Sequence, residues 1–81
     1  MFLTAQLSLY PLRRQHLSQD IDESLQILKE HGLEVTPGTM SSLAEGDDEA
    51  LLGAIKEIFR KGAGRGDLVM VVTLSNACPV A

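Results

Sequence analysis

Residues 68–72, Leu-Val-Met-Val-Val, run without a polar interruption, and three of the five are β-branched valines. The run is entered from Gly66-Asp67, continues through Thr73, Leu74, Ser75 and Asn76, and is left through Ala77-Cys78-Pro79. A short apolar run bounded in this way reads as a buried strand. Pro79 and the density of β-branched residues argue against a helix. Its two faces differ in kind. Leu68, Met70, Val72 and Leu74 are apolar throughout and are expected to face the core. Val69, Val71, Thr73 and Ser75 pass from apolar to hydroxylated, which suits a surface that meets something other than a helix.

The start of the chain alternates at period two. Leu3, Ala5, Leu7 and Leu9 fall on one face of a predicted strand over 2–10, and Phe2, Thr4, Gln6, Ser8 and Tyr10 on the other. Pro11 is expected to stop it. The polar face has two readings: a solvated sheet surface, or a rigid floor whose amide and hydroxyl groups bind a ligand.

Two helical patterns follow. Leu17, Ile21, Leu25 and Leu28, flanked by Ile27, predict a buried stripe on a helix over about 18–31, capped by Ser18 and closed by Gly32. Leu51, Ala54, Ile55, Ile58 and Phe59 predict the buried face of a second helix, opened by Gly46-Asp47-Asp48-Glu49. Between them, residues 33–36 read as a short strand and Pro37-Gly38 as a type II turn signal. Residues 39–45 read as the partner strand, whose mixed pattern leaves its two faces undecided.

Strand, helix, strand, strand, helix, strand is the order of a ferredoxin-like βαββαβ sandwich. It is an α+β fold with a four-stranded sheet and two helices on one face. Strands one and three are expected at the centre, with strand four beside strand one. The uncovered face would then expose Phe2, Val69 and Val71, and an apolar patch of that kind marks an interface. Sheets are therefore expected to pack face to face in a homodimer or homotetramer.

Composition narrows the function. The 81 residues suit one domain spanning 1–81, with 44% hydrophobic and 22% charged residues ruling out disorder. A net charge of −4 disfavours nucleic acid and anionic membrane surfaces. The N-terminal residues lack the pattern of a signal peptide and no apolar run is long enough to span a bilayer. One cysteine gives no disulfide framework within the chain, so a cytoplasmic location is expected.

The common chemistries of the fold fit poorly. Cys78 stands alone, where a metal carrier of this fold needs a Cys-x-x-Cys pair. Neither His16 nor His31 has ligand spacing around it, and the acidic cluster at 47–49 has a sufficient reason in the helix dipole, so no metal site is expected. Arg13-Arg14 lacks the glycines that would wrap a phosphate. Gly62-Ala63-Gly64-Arg65-Gly66 follows a helix and opens a strand, the reverse of a dinucleotide-binding loop. No nucleophile–base pair stands at a defensible spacing, so no enzyme activity and no cofactor are expected.

Three stretches carry a family resemblance. Gln6-Leu7-Ser8-Leu9-Tyr10-Pro11-Leu12, Met40-Ser41-Ser42-Leu43-Ala44-Glu45-Gly46 and the segment from Gly66 to Pro79 together resemble the YkoF-like thiamin-binding proteins. The resemblance implies a ferredoxin-like fold that assembles through its sheets and binds thiamin or its hydroxymethylpyrimidine moiety in the cytoplasm. Gln6, Ser8, Ser41, Thr73, Ser75 and Asn76 could match the ring acceptors and exocyclic amine of an aminopyrimidine. Tyr10 could stack on the ring or face a thiazolium cation. Glu45 could balance that cation or be a solvated strand-end acid. The expected function is a non-catalytic small-molecule-binding protein, with its site on the open sheet face near the dimer interface. The alternative is a regulatory or oligomerisation module that binds another metabolite, or only itself.

Overall fold

The computed structural model describes residues 1–13, 17–39 and 41–77, with the side chain of Leu17 excepted. Readings that fall on Arg14, His16, Met40, Cys78 and Pro79 lie outside the described residues. The elements are β1 (Phe2–Pro11), α1 (Leu17–Glu30), β2 (Glu34–Pro37), β3 (Ser42–Asp47), α2 (Asp48–Ala63) and β4 (Leu68–Ser75). The sheet order is β2-β3-β1-β4, and every neighbouring pair is antiparallel. The expected ferredoxin-like arrangement holds, with β1 and β3 central and β4 beside β1.

The ends of the helices follow from local chemistry. At the end of α1, Gly32 N–H donates to the Lys29 carbonyl and Leu33 N–H to the Leu28 carbonyl. This pair of bonds closes the last turn, and it requires the left-handed conformation that Gly32 adopts at φ 78°. Leu28 and Leu33, which such a cap brings together, are both buried. At the start of α2, Asp47 is the N-cap, and its carboxylate accepts from Glu49 N–H at 3.2 Å.

The core lies between the sheet and the helices. Leu3, Ala5 and Leu7 of β1 and Ala44 of β3 meet Ile27 and Leu28 of α1, with Leu51, Ala54 and Ile58 of α2 and Leu33. Ala5 and Ala44 are directly paired and fully buried. Two methyl side chains at the centre of the sheet leave room for the bulkier Leu51 and Ile27 above them.

Several sequence expectations are corrected. β3 starts at Ser42 and runs to Asp47, and its undecided faces resolve: Ala44 points to the core while Leu43 and Glu45 share the open face with Gln6 and Thr4. Pro11 closes β1 from within, and Ser18 sits inside the first turn of α1. Ile21 is exposed, because Asp20 and Ser24 occupy the buried face of α1 in its place. Phe59 is exposed because α2 turns the Leu51–Ala54–Ile58 stripe inward. Leu74 is also exposed. Earlier on the same face of β4, Leu68 lies against Gly62 of α2, and Met70 and Val72 pack against the core.

Candidate functional site

The strand register gathers most of the expected site residues. Gln6 pairs with Thr73, Ser8 with Val71, Tyr10 with Val69, and Thr4 with Ser75. On the other flank, Thr4 pairs with Glu45 and Gln6 with Leu43. Gln6, Ser8, Tyr10, Thr73 and Ser75 therefore share the face away from the helices. Around them Phe2, Tyr10, Leu43, Val69 and Val71 are each between 43% and 51% exposed, so the polar row is set within an uncovered apolar surface. Asn76 lies beyond the end of β4 and is not brought into this row.

The hydrogen bonds on this face are partly committed. Gln6 Nε2 donates to Ser41 Oγ at 3.0 Å, and Thr4 Oγ1 donates to Glu45 Oε2 at 3.3 Å. Ser75 Oγ accepts from the N–H of Ala77 at 3.0 Å, leaving its hydroxyl proton for another partner. Glu45 stands directly opposite Glu34. Two carboxylates so placed repel, and they make this end of the face favourable to a cation.

A second concavity lies on the helix side of the sheet. Leu7, Leu9, Leu28 and Ser24 form its deeper part, and Ile21, Gly38 and Thr39 its exposed rim, with Ser41 and Ser42 beside them. Its volume is about 70 Å³, and it opens to solvent at the rim. The lining combines four apolar side chains with four hydroxyl groups and holds no charged side chain. Ser24 is only 7% exposed, and its hydroxyl donates back to the Ile21 carbonyl at 2.7 Å, so its lone pairs remain open to a donor. Ser41 belongs to both places, as a lining residue here and as the acceptor of Gln6.

Sequence reasoning missed this cleft. A signal for it was present in Ser24, a hydroxyl one helical turn before Leu28 on the face that also carries Ile27 and Leu28. Two further clusters lie elsewhere. His31 Nε2 and Glu57 Oε1 are 3.0 Å apart between the helices, and this contact lowers the Glu57 carboxyl below its ordinary range, with Lys61 adding to it. Arg65 reaches Asp20 Oδ1 at 2.7 Å and Glu23 Oε1 at 2.6 Å. Among the described residues, no group of three or more His, Cys, Asp or Glu side chains is placed to hold a metal ion. No described helix is long and apolar enough to cross a membrane.

The family model described as the YKOF-related family matches residues 3–81. Among solved structures, a hypothetical protein of Methanocaldococcus jannascii superposes with a TM-score of 0.86 at 22% identity, covering 99% of this chain and 84% of that one. A Streptococcus pneumoniae protein gives 0.85 at 17% identity, over 100% and 92% of the two chains. A Thermotoga maritima protein assigned provisionally to thiamine biosynthesis or salvage gives 0.80 at 18%, over 93% and 83%. At these identities the structural likeness speaks for the fold alone. No curated protein sequence matches the chain.

Proposed function

From the premise that the chain belongs to the YkoF-related family, we propose that it is a non-catalytic carrier of thiamin or its hydroxymethylpyrimidine moiety. The observation that carries this reading is the cleft between α1 and the sheet. Small-molecule sites are concave and set polar groups among apolar walls, and this cleft sets four hydroxyls among four apolar side chains. An aminopyrimidine presents ring nitrogens that accept and an exocyclic amine that donates. Hydroxyls such as those of Ser24, Thr39, Ser41 and Ser42 answer both needs, because each donates and accepts.

The 70 Å³ of the cleft is about half of the ~150 Å³ that admits benzene to an apolar cavity. A pyrimidine edge would therefore enter between Leu7, Leu9 and Leu28, with the rest of the molecule at the rim beside Ile21 and Thr39. The thiazolium cation stays outside, where its charge remains hydrated. The Thermotoga protein provisionally tied to thiamine biosynthesis or salvage shares the fold and supports this choice of ligand.

A second placement is favoured by the strand register. Gln6, Ser8, Tyr10, Thr73 and Ser75 form one polar row, and a flat row becomes an enclosed site only when a second copy roofs it. In this placement Tyr10 meets the ring and the Glu34–Glu45 end attracts the cation. Both placements use Ser41, while Asn76 would have to reach in from beyond the strand. Both also go with a homodimer or homotetramer built through the open face, in the cytoplasm.

Calorimetric titration with thiamin, thiamin diphosphate and hydroxymethylpyrimidine tests the proposal. Saturable binding of thiamin or the pyrimidine, with the ligand recovered unchanged, is the expected result. No heat from any of the three on the folded protein would overturn it. Oligomers without any binding would instead favour a module that binds only itself.

A further inference from the structure

We propose that Arg65 is a positioning residue that holds the α1 wall of the cleft from outside the cleft. The consequence for binding rests on the cleft reading above, whereas the tether itself does not. Arg65 sits on the α2–β4 connection, in the glycine-rich stretch that follows a helix and opens a strand. Its guanidinium donates to Asp20 Oδ1 at 2.7 Å, and to Glu23 through Nη1 at 3.2 Å and Nη2 at 2.6 Å. These partners lie 45 and 42 residues away in sequence. The contact therefore joins the N-terminal half of α1 to the far end of α2.

The position of the two carboxylates on α1 gives the tether its meaning. Asp20 directly precedes Ile21 and lies one helical turn before Ser24; Glu23 directly precedes Ser24. Ile21 and Ser24 line the cleft. The Asp20 side chain is only 4% exposed, and it faces the same packed interior as Ser24. Gly62 is buried beside it, and a Cβ there would stand 4.0 Å from Asp20 Oδ1. The C-terminal turn of α2 thus comes close to the carboxylate that Arg65 grips. A planar fork that engages two carboxylates one turn apart fixes helix rotation as well as distance, which the single ammonium of lysine does not do.

The other end of α1 is already fixed by its glycine cap and by the buried Leu28. Loss of Arg65 should therefore free the half of α1 that carries Ile21 and Ser24, and leave the Leu28 half and α2 in place.

Native-state amide hydrogen exchange and thiamin titration of Arg65→Ala, Arg65→Lys and Arg60→Ala test this. In Arg65→Ala, amides of residues 21–25 should exchange about 10- to 100-fold faster, the equivalent of one or two charge-assisted hydrogen bonds. Those of Leu51 and Ile58 should change far less. The thiamin Kd should rise about tenfold, with Arg65→Lys only partly restoring it and Arg60→Ala matching the wild type. Uniform acceleration across both helices would make Arg65 a general stabiliser and overturn the proposal, as would exchange at 21–25 that stays at the wild-type rate. A thiamin affinity unchanged in Arg65→Ala, with exchange selectively faster, would overturn the role in binding. If the wild type binds no thiamin, the cleft reading fails, and the exchange pattern still decides the tether.

Discussion

Gln6 Nε2 donates to Ser41 Oγ across 3.0 Å, from the middle of the open sheet face to the rim of the cleft on the helix side. The two candidate ligand surfaces are thus connected through one hydrogen bond at the start of β3. A change in either partner therefore has to be read against variants that touch only one surface.

The ligand's place can be separated in this way. Ser24→Ala removes a cleft hydroxyl that is remote from the open face, and Ser75→Ala removes an open-face hydroxyl that does not line the cleft. Losing a hydrogen bond buried against a ligand costs about 1–3 kcal/mol, or about 5- to 150-fold in affinity. Calorimetry should show that loss for Ser24→Ala if thiamin lies in the cleft, and for Ser75→Ala if it lies on the open face. Gln6→Ala should weaken binding in either case. Lys56→Ala, on the exposed side of α2, should leave it intact.

Assembly is tested on the same face. Val71 is 51% exposed in the single chain, beside Ser8 on β1. If two sheets pack there, Val71→Asp buries a carboxylate without a countercharge, a cost of several kcal/mol that splits the oligomer. Sedimentation should show a dimer or tetramer for the wild type and a monomer for the variant. A monomeric wild type refutes the interface.

The sequence legibly encoded the order of elements, the two central strands and the face each β1 residue takes, because period-two alternation is a direct image of the pleat. The same pattern places Gln6, Ser8, Tyr10, Thr73 and Ser75 on one face, as the strand register does. The faces of β3 were not legible. Its pattern of serine, leucine, alanine and glutamate carries little contrast, and the register with β1 decides it. Nor were the exposures of Ile21 and Phe59, since apolar residues at helical spacing do not reveal which one lies at the edge of the stripe. The Arg65 tether was hidden for a plainer reason. It joins residues more than forty positions apart, and no local period records such a contact.

Gly38 offers a stability test of the cleft rim. A Cβ at this position would stand 2.6 Å from the Ser41 carbonyl oxygen. That atom is backbone, so it cannot swing aside as a side chain would. Gly38→Ala should push the β2–β3 connection outward and cost roughly 1–3 kcal/mol, as overpacking does. Urea denaturation should show the lower midpoint, and thiamin affinity should fall with it if the cleft is the site. A midpoint equal to the wild type would mean that the connection yields freely.

Acid should weaken the contacts between the helices and around the α2–β4 connection. The hydrogen bonds from Arg65 lower the Glu23 carboxyl, and the His31 contact lowers that of Glu57, both from an ordinary value of 4.5. A carboxylate whose folded pKa is depressed stabilises the fold above its unfolded pKa. That contribution is lost as the pH falls through the folded pKa, because protonation removes the negative charge that these contacts stabilise. Stability should therefore hold near pH 6 and decline progressively below about 4.5. Glu23→Gln should lower stability near neutral pH and flatten the acid decline, because the amide binds no proton in this range. Urea midpoints measured across the window check this: an acid decline equally steep in Glu23→Gln would assign the loss to other carboxylates.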